Sequence, residues 1–239
     1  MRSGQPHLPR RSFLSRFGAG MAAFGAALGA GAASPHAQTP TGSGSPSVPP
    51  GPSRHAVDDW FEAPAARHRM YFDTTTPEGY GQAMFFANNV FTASRSAYSL
   101  ADADTAVILA VRHRSTAFGY DDEMWKKYGA ALAERAQFKL PKSGGVPAVN
   151  VYLASGVAEG LNNANVTWGA LSERGVRLAV CQMATRANAG LIAQKTGTKA
   201  DDIYQELAAH LVPNAHLVPA GIVAVNRAQE RGYTFAYVE

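Results

Sequence analysis

The 239-residue chain predicts an α/β fold: a three-layer sandwich of about five mostly parallel strands with helices on both faces. Three observations carry that reading. Short apolar or β-branched runs alternate with stretches whose apolar residues recur at helical spacing. Thr105-Ala106-Val107-Ile108-Leu109-Ala110-Val111 is continuously apolar, as a strand covered on both faces must be. Strands separated by helices join through right-handed parallel crossovers, which place helices against the sheet.

The elements follow in order. His68 to Phe72 reads as the first strand, and Thr76 with Pro77 behind it reads as the cap and first position of a helix. Ala83, Phe86, Ala87, Val90, Phe91, Ser94 and Tyr98 carry that helix to about Leu100. Asp102-Ala103-Asp104 turns the chain into the Thr105 to Val111 strand, which ends in Arg112-His113-Arg114. Asp121 or Asp122 caps the next helix, through Met124, Trp125, Tyr128 and Leu132.

Between Gln137 and Asn165, Pro141, Gly144, Gly145, Pro147 and Gly156 interrupt every pattern. A short strand at Val149 to Leu153 is expected there, in a segment that acts as a cover or an oligomer contact. A helix from Thr167 to Arg174 then leads to a strand ending at Cys181. The following helix runs to about Lys195, stopped by Gly197. Thr198-Lys199-Ala200-Asp201 has the spacing of a capping box for a further helix carrying Ile203, Leu207 and Leu211. His216 to Val218 reads as a short strand, Pro219 to Arg231 as a helix ended by Gly232, and Tyr233 to Val238 as the last strand.

The amino terminus reads as an address. Arg10-Arg11-Ser12-Phe13-Leu14 has the paired arginines of a twin-arginine export signal, and the weakly apolar, glycine-rich stretch from Phe17 to Ala33 suits that route better than a membrane anchor. The expected organisation is a signal peptide over 1–37, a flexible Pro/Gly/Ser-rich linker over 38–57 and one folded domain over 58–239. The chain holds 22 Lys and Arg against 18 Asp and Glu, and Arg2, Arg10, Arg11 and Arg16 are the only such charges in the signal. Once it is removed, acids and bases balance, which takes away the electrostatic warrant for nucleic acid or an anionic membrane as partner. The expected location is the periplasm, with no membrane anchor after cleavage.

Cys181 is the only cysteine, so no intramolecular disulfide can form, and an unpaired thiol sent to an oxidising compartment needs a reason. It stands where a strand ends and a helix begins, and a helix N-terminus stabilises a thiolate. Against this stands the ordinary role of a free cysteine as a small buried apolar group. His113, His210 and His216 form no spaced ligand set, so no metal is expected. Thr74-Thr75-Thr76 before a helix invites comparison with a phosphate loop, but Pro77 removes an amide and Glu78 adds a negative charge, so neither flavin nor any other cofactor is expected. The phosphate-loop, nucleophile-elbow and zinc-protease motifs are absent.

Gly175-Val176-Arg177-Leu178-Ala179-Val180-Cys181 and the closing Val218-Pro219-Ala220-Gly221 to Gln229-Glu230-Arg231-Gly232-Tyr233 resemble the DsrE/DsrF-like (YchN-like) family. The resemblance covers most of Arg69 to Val238 and leaves Gln137 to Asn165 without a counterpart. It implies a flavodoxin-like arrangement of about five strands, assembly into trimers or hexamers, and a sulfur (persulfide) carrier or thiol-redox role for Cys181 with donor and acceptor proteins as partners. The export signal departs from the family's cytoplasmic relay members. Cations are wanted beside a working thiol. Arg112 and His113 leave a strand expected to neighbour that of Cys181, Arg186 lies in the first turn of the helix after it, and His216 is expected in a loop at the same sheet edge. For each, a surface or packing role is the alternative, and for the whole chain the alternative is a non-catalytic oligomeric binding or assembly module with a structural cysteine.

Overall fold

The computed structural model describes residues 51, 53–63 and 65–239, so the signal peptide and most of the linker lie outside the described residues. The elements in chain order are β1 (His68–Thr74), α1 (Pro77–Tyr98), β2 (Thr105–Val111), α2 (Asp122–Ala136), α3 (Trp168–Glu173), β3 (Arg177–Cys181), α4 (Gln182–Thr196), α5 (Ala200–Ala209), β4 (Ala215–Val218), α6 (Gly221–Gln229) and β5 (Thr234–Val238). A 3-10 helix, Ala56–Phe61, precedes them and takes in the last residues assigned to the linker.

The five strands are all parallel, in the order β4-β3-β2-β1-β5, and the predicted three-layer α/β sandwich is what forms. The order differs from the 2-1-3-4-5 arrangement of flavodoxin itself, and it decides how the helices are shared. From β1 to β4 each strand is added on the same side, so right-handed crossovers put α1 to α5 on one face. The return from β4 to β5 runs the other way and puts α6 on the opposite face. The apolar side chains divide accordingly. Val107, Leu109 and Val111 pack with α1 to α5, while Ala106, Ile108 and Ala110 face α6 and the 3-10 helix. Every residue of β2 is buried, as its uninterrupted apolar run requires.

The ends of the helices show why they start and stop where they do. Thr76 Oγ1 accepts from Gly79 N at 2.9 Å with Pro77 at the first position, and Asp121 accepts from Glu123 N and Met124 N. Gly197, at φ 70°, closes α4 in the left-handed region. The capping box at Thr198 does not form: Lys199 is the cap, without a side-chain bond, and Thr198 Oγ1 pairs with Thr196 Oγ1. Leu211 falls beyond α5, in a bridge to Tyr120. α6 starts at Gly221, two residues after Pro219. Tyr98 is exposed, because a 22-residue helix is about 33 Å long and overhangs seven-residue strands of about 23 Å.

The expected strand at Val149 to Leu153 is instead a series of turns, because Asn150 satisfies backbone groups no strand is placed to reach. Its Nδ2 donates to Phe118 O and Tyr120 O at 2.9 and 2.8 Å, and its Oδ1 accepts from Tyr152 N. Tyr152 is driven into the core beside Tyr80, Phe118 and Phe138, with its hydroxyl donating to Pro77 O at 3.0 Å. The segment is therefore a cover over the α1–α2 face, built into the larger apolar cluster. Arg174 ties the sheet's opposite end, donating to Asp102 and Asn88 and lying 4.4 Å over the Phe91 ring. That bond to Arg174 holds the Asp102 carboxyl below its ordinary range.

Candidate functional site

In an open parallel sheet the crevice opens at the strands' carboxyl ends, where neighbouring strands send their connections to opposite faces. Here those strands are β3, which continues into α4 on one face, and β4, which continues into α6 on the other. Cys181 is the last residue of β3 and the N-cap of α4, and it pairs in register with Val218 at the end of β4. Gly221, the first residue of α6, donates its backbone N–H to Cys181 Sγ at 3.3 Å. The sulfur thus sits where one helix begins and receives the first amide of another. The Cys181 residue is buried, with 7% of its surface exposed.

Strand alternation brings further groups to the same face. Val111 pairs with Val180, so Arg112 leaves β2 level with Cys181, as the sequence led us to expect. The Arg112 guanidinium grips the buried Asp73 at the end of β1, with Nε donating to Oδ1 and Oδ2 at 2.9 and 3.1 Å and Nη2 to Oδ2 at 2.8 Å. That grip raises the Arg112 pKa above its ordinary value, the hydrogen bond to Asp73 outweighing the opposing effect of burial. Gly221 belongs here for a steric reason as well. A Cβ at this position would lie 2.7 Å from Arg112 Cβ and 2.9 Å from its Cδ, so glycine is what lets the α6 amide reach the sulfur past the arginine.

Beneath this row lies Tyr71, fully buried on the same face of β1 as Asp73. Its hydroxyl has no hydrogen-bond partner among the described residues. Burial is the main reason its pKa is raised, and Asp73, Arg112 and Cys181 are all near enough to shift it further, Arg112 in the opposite sense. Ala110 and Ala179, small residues of β2 and β3, belong to the same cluster and leave room for the ring.

The remaining sequence candidates are engaged elsewhere or exposed. His113 follows Arg112 in a left-handed conformation, φ 59°, and is exposed. Arg186 is the fifth residue of α4. It pairs with Asp201 at 3.5 Å and lies 3.9 Å over the Tyr204 ring, which commits it to α5. His216 is not in an edge loop but inside β4, level with Ala179, with its ring stacked on Trp60 at 4.6 Å. Burial and then the charge of Arg177 lower its pKa. Rising past Cys181 requires two more residues of strand, so His216 serves the sheet's covered middle.

Sequence reasoning missed Tyr71, Asp73 and the role of Gly221. Asp73 follows the His68 to Phe72 stretch read as the first strand, and an acid in that position is a signal once β1 is known to neighbour β2. Tyr71 carries no such mark, since an aromatic residue in a strand is ordinary core.

No family model and no curated protein matches the chain. Among solved structures it is similar to MTH1491 from Methanobacterium thermoautotrophicum, a protein of unknown function, with 14% identity over 71% of this chain and 98% of that one and a TM-score of 0.35. A likeness of that size carries no argument about what this protein does.

Proposed function

We propose that the protein is an exported DsrE-like domain whose Cys181 accepts sulfane sulfur and passes it on. The observation that carries this reading is the amide of Gly221 donating to Cys181 Sγ at the sheet's switch point. An N–H from a helix start favours negative charge on sulfur, and the thiolate is the nucleophile in sulfur transfer. The step balances without an oxidant. The thiolate attacks the outer sulfur of a persulfide, a new S–S bond forms on Cys181, the old one breaks, and the donor thiolate leaves with the electron pair.

The test is to treat the purified protein with polysulfide and weigh it. The expected result is added mass of one or more sulfur atoms on Cys181, lost in Cys181→Ser with fold and assembly unchanged. An unmodified protein that also alkylates slowly at neutral pH sinks the carrier reading.

The second reading, an assembly module with a structural cysteine, is favoured by the burial of the thiol and by two exposed apolar residues nearby in sequence, Met183 two positions after Cys181 and Ile222 next to Gly221. We propose a trimer or hexamer in either case. Ile222→Asp is expected to shift sedimentation toward monomer, and a monomeric parent protein removes the assembly proposal. Periplasmic delivery by the twin-arginine route is tested by fractionation: Arg10→Lys with Arg11→Lys should leave the protein in the cytoplasm.

A further inference from the structure

β5 stands at one edge of the sheet, paired with β1 on one side and, among the described residues, with no strand on the other. Its outward N–H and C=O groups are therefore open to a further strand. The other edge, β4, is better covered: its four residues are half-buried or buried, and His216 is stacked on Trp60. Edge strands are ordinarily blunted by a charge, a proline or a bulge. Thr234-Phe235-Ala236-Tyr237-Val238 holds neither charge nor proline, and its register with β1 runs without a break from Thr234 to Val238. Phe235 and Tyr237 share a face by alternation and leave 42% and 46% of their surfaces exposed. The two ends of this edge differ in charge. At the amino end, exposed Arg67 and His68 border one cavity with Gly232 and Thr234. At the carboxyl end Glu239 is exposed, and the first turn of α1 lies against it: a Cβ on Gly79 would meet Glu239 Cα at 2.9 Å, which brings exposed Glu78 to the same end. Two such edges laid parallel set like charges together at both ends. Laid antiparallel, they set base against acid twice.

We propose that β5 is the contact for a second copy of this chain, pairing antiparallel with its counterpart across a two-fold axis normal to the sheet, so that two five-stranded sheets join into one. The proposal rests on the assembly put forward above and deepens it, since a two-fold contact is what joins two trimers into a hexamer. It does not depend on the chemistry of Cys181. An antiparallel pair of identical strands is self-complementary and closes on itself, so it gives a discrete species and not a fibre. Phe235 and Tyr237 of both copies then lie on a common face, where each covers aromatic surface that the single sheet leaves to water. Arg67 of one copy comes to the end that holds Glu78 and Glu239 of the other, which fixes the direction of pairing.

The experiment is sedimentation velocity on the full chain, with hydrogen exchange read at the outward-facing amides of β5. The parent protein is expected as an even-numbered assembly with those amides protected. Phe235→Lys sets like charges against each other in the contact and should halve the assembly and release the protection, with little change in Tm because the residue is exposed. Charge is tested separately. Arg67→Glu or Glu239→Arg alone should raise the dissociation constant about tenfold, the effect of losing two exposed ion pairs, and the two together should restore it. A role confined to the single chain would not show that rescue, and its failure overturns the antiparallel contact. A parent trimer, or an assembly that Phe235→Lys leaves unchanged, overturns this proposal and leaves the assembly reading standing. A parent monomer overturns both. Protection that persists in the halved assembly assigns the edge to the chain's own linker, and open-ended association that grows with concentration assigns it to head-to-tail pairing. Either result overturns the two-fold contact.

Discussion

Gly221 holds three groups in place through the absence of a side chain. Its N–H reaches Cys181 Sγ at 3.3 Å, and its Cα lies against Arg112, which in turn holds Asp73. Gly221→Ala places a methyl group where Arg112 Cβ and Cδ already lie, so the start of α6 must withdraw from the sulfur or the Arg112–Asp73 pair must shift. We expect about 1–3 kcal/mol of lost stability by denaturant unfolding, together with faster alkylation of the less enclosed Cys181. Unchanged alkylation would show that α6 does not guard the thiol. The conformation of Gly221 is unremarkable for any residue, so the effect is one of crowding and not of backbone strain.

At the scale of elements, the cover between α2 and α3 is held by one side chain more than by any pattern in its sequence. Asn150 supplies two donors to the carbonyls of Phe118 and Tyr120 and an acceptor to Tyr152 N, and all of these groups are shut away from water. Asn150→Ala strands them, and we expect a loss of about 2–4 kcal/mol by denaturant unfolding, from several unsatisfied buried groups at about 1–3 kcal/mol each. Asn150→Asp is expected to do no better, because it replaces both donors with acceptors facing carbonyl oxygens. A loss below about 0.5 kcal/mol, the range of ordinary surface substitutions, would mean that the cover is held by Tyr152 and its aromatic neighbours alone. Regular elements were legible because their signals are local: Thr76 and Pro77 at a helix start, the run from Thr105 to Val111, Gly197 at a helix end. The cover was not, because its bonds run to residues some thirty positions away and follow no period.

For the whole molecule, acid stability tests the packing of the sparsely covered face. His216 sits between β4 and the 3-10 helix, stacked on Trp60, with Arg177 near enough to oppose its charge. Its folded pKa lies below the ordinary histidine value, so the unfolded chain binds the proton more readily. The neutral ring's contribution is present above the ordinary value and is lost as pH falls through the lowered one. Thermal melts should therefore show a drop in Tm below about pH 6.5, and His216→Phe, which keeps the stack and cannot take a proton, should flatten that part of the profile. An identical acid slope in the variant would place the acid sensitivity elsewhere. The effect is expected to be modest, since the ring is only half-buried and solvent screens part of the charge.

The order of strands and helices along the chain, the helix ends at Thr76, Asp121 and Gly197 and the position of Cys181 at a strand's end were determined by the sequence alone, since each depends on side-chain period or on a cap within one turn. The tertiary structure decided what surrounds the thiol. The order β4-β3-β2-β1-β5 sends α6 to the face opposite α4, and this brings an amide from forty residues away onto Cys181 and sets Asp73 beside Arg112. It also sets His216 level with Ala179 inside β4 and pairs Arg186 with Asp201, although both were candidates behind Arg112 and His113 in the sequence. Which strand neighbours which is a property of the whole sheet, settled by how the chain buries both faces, and no local stretch of residues encodes it.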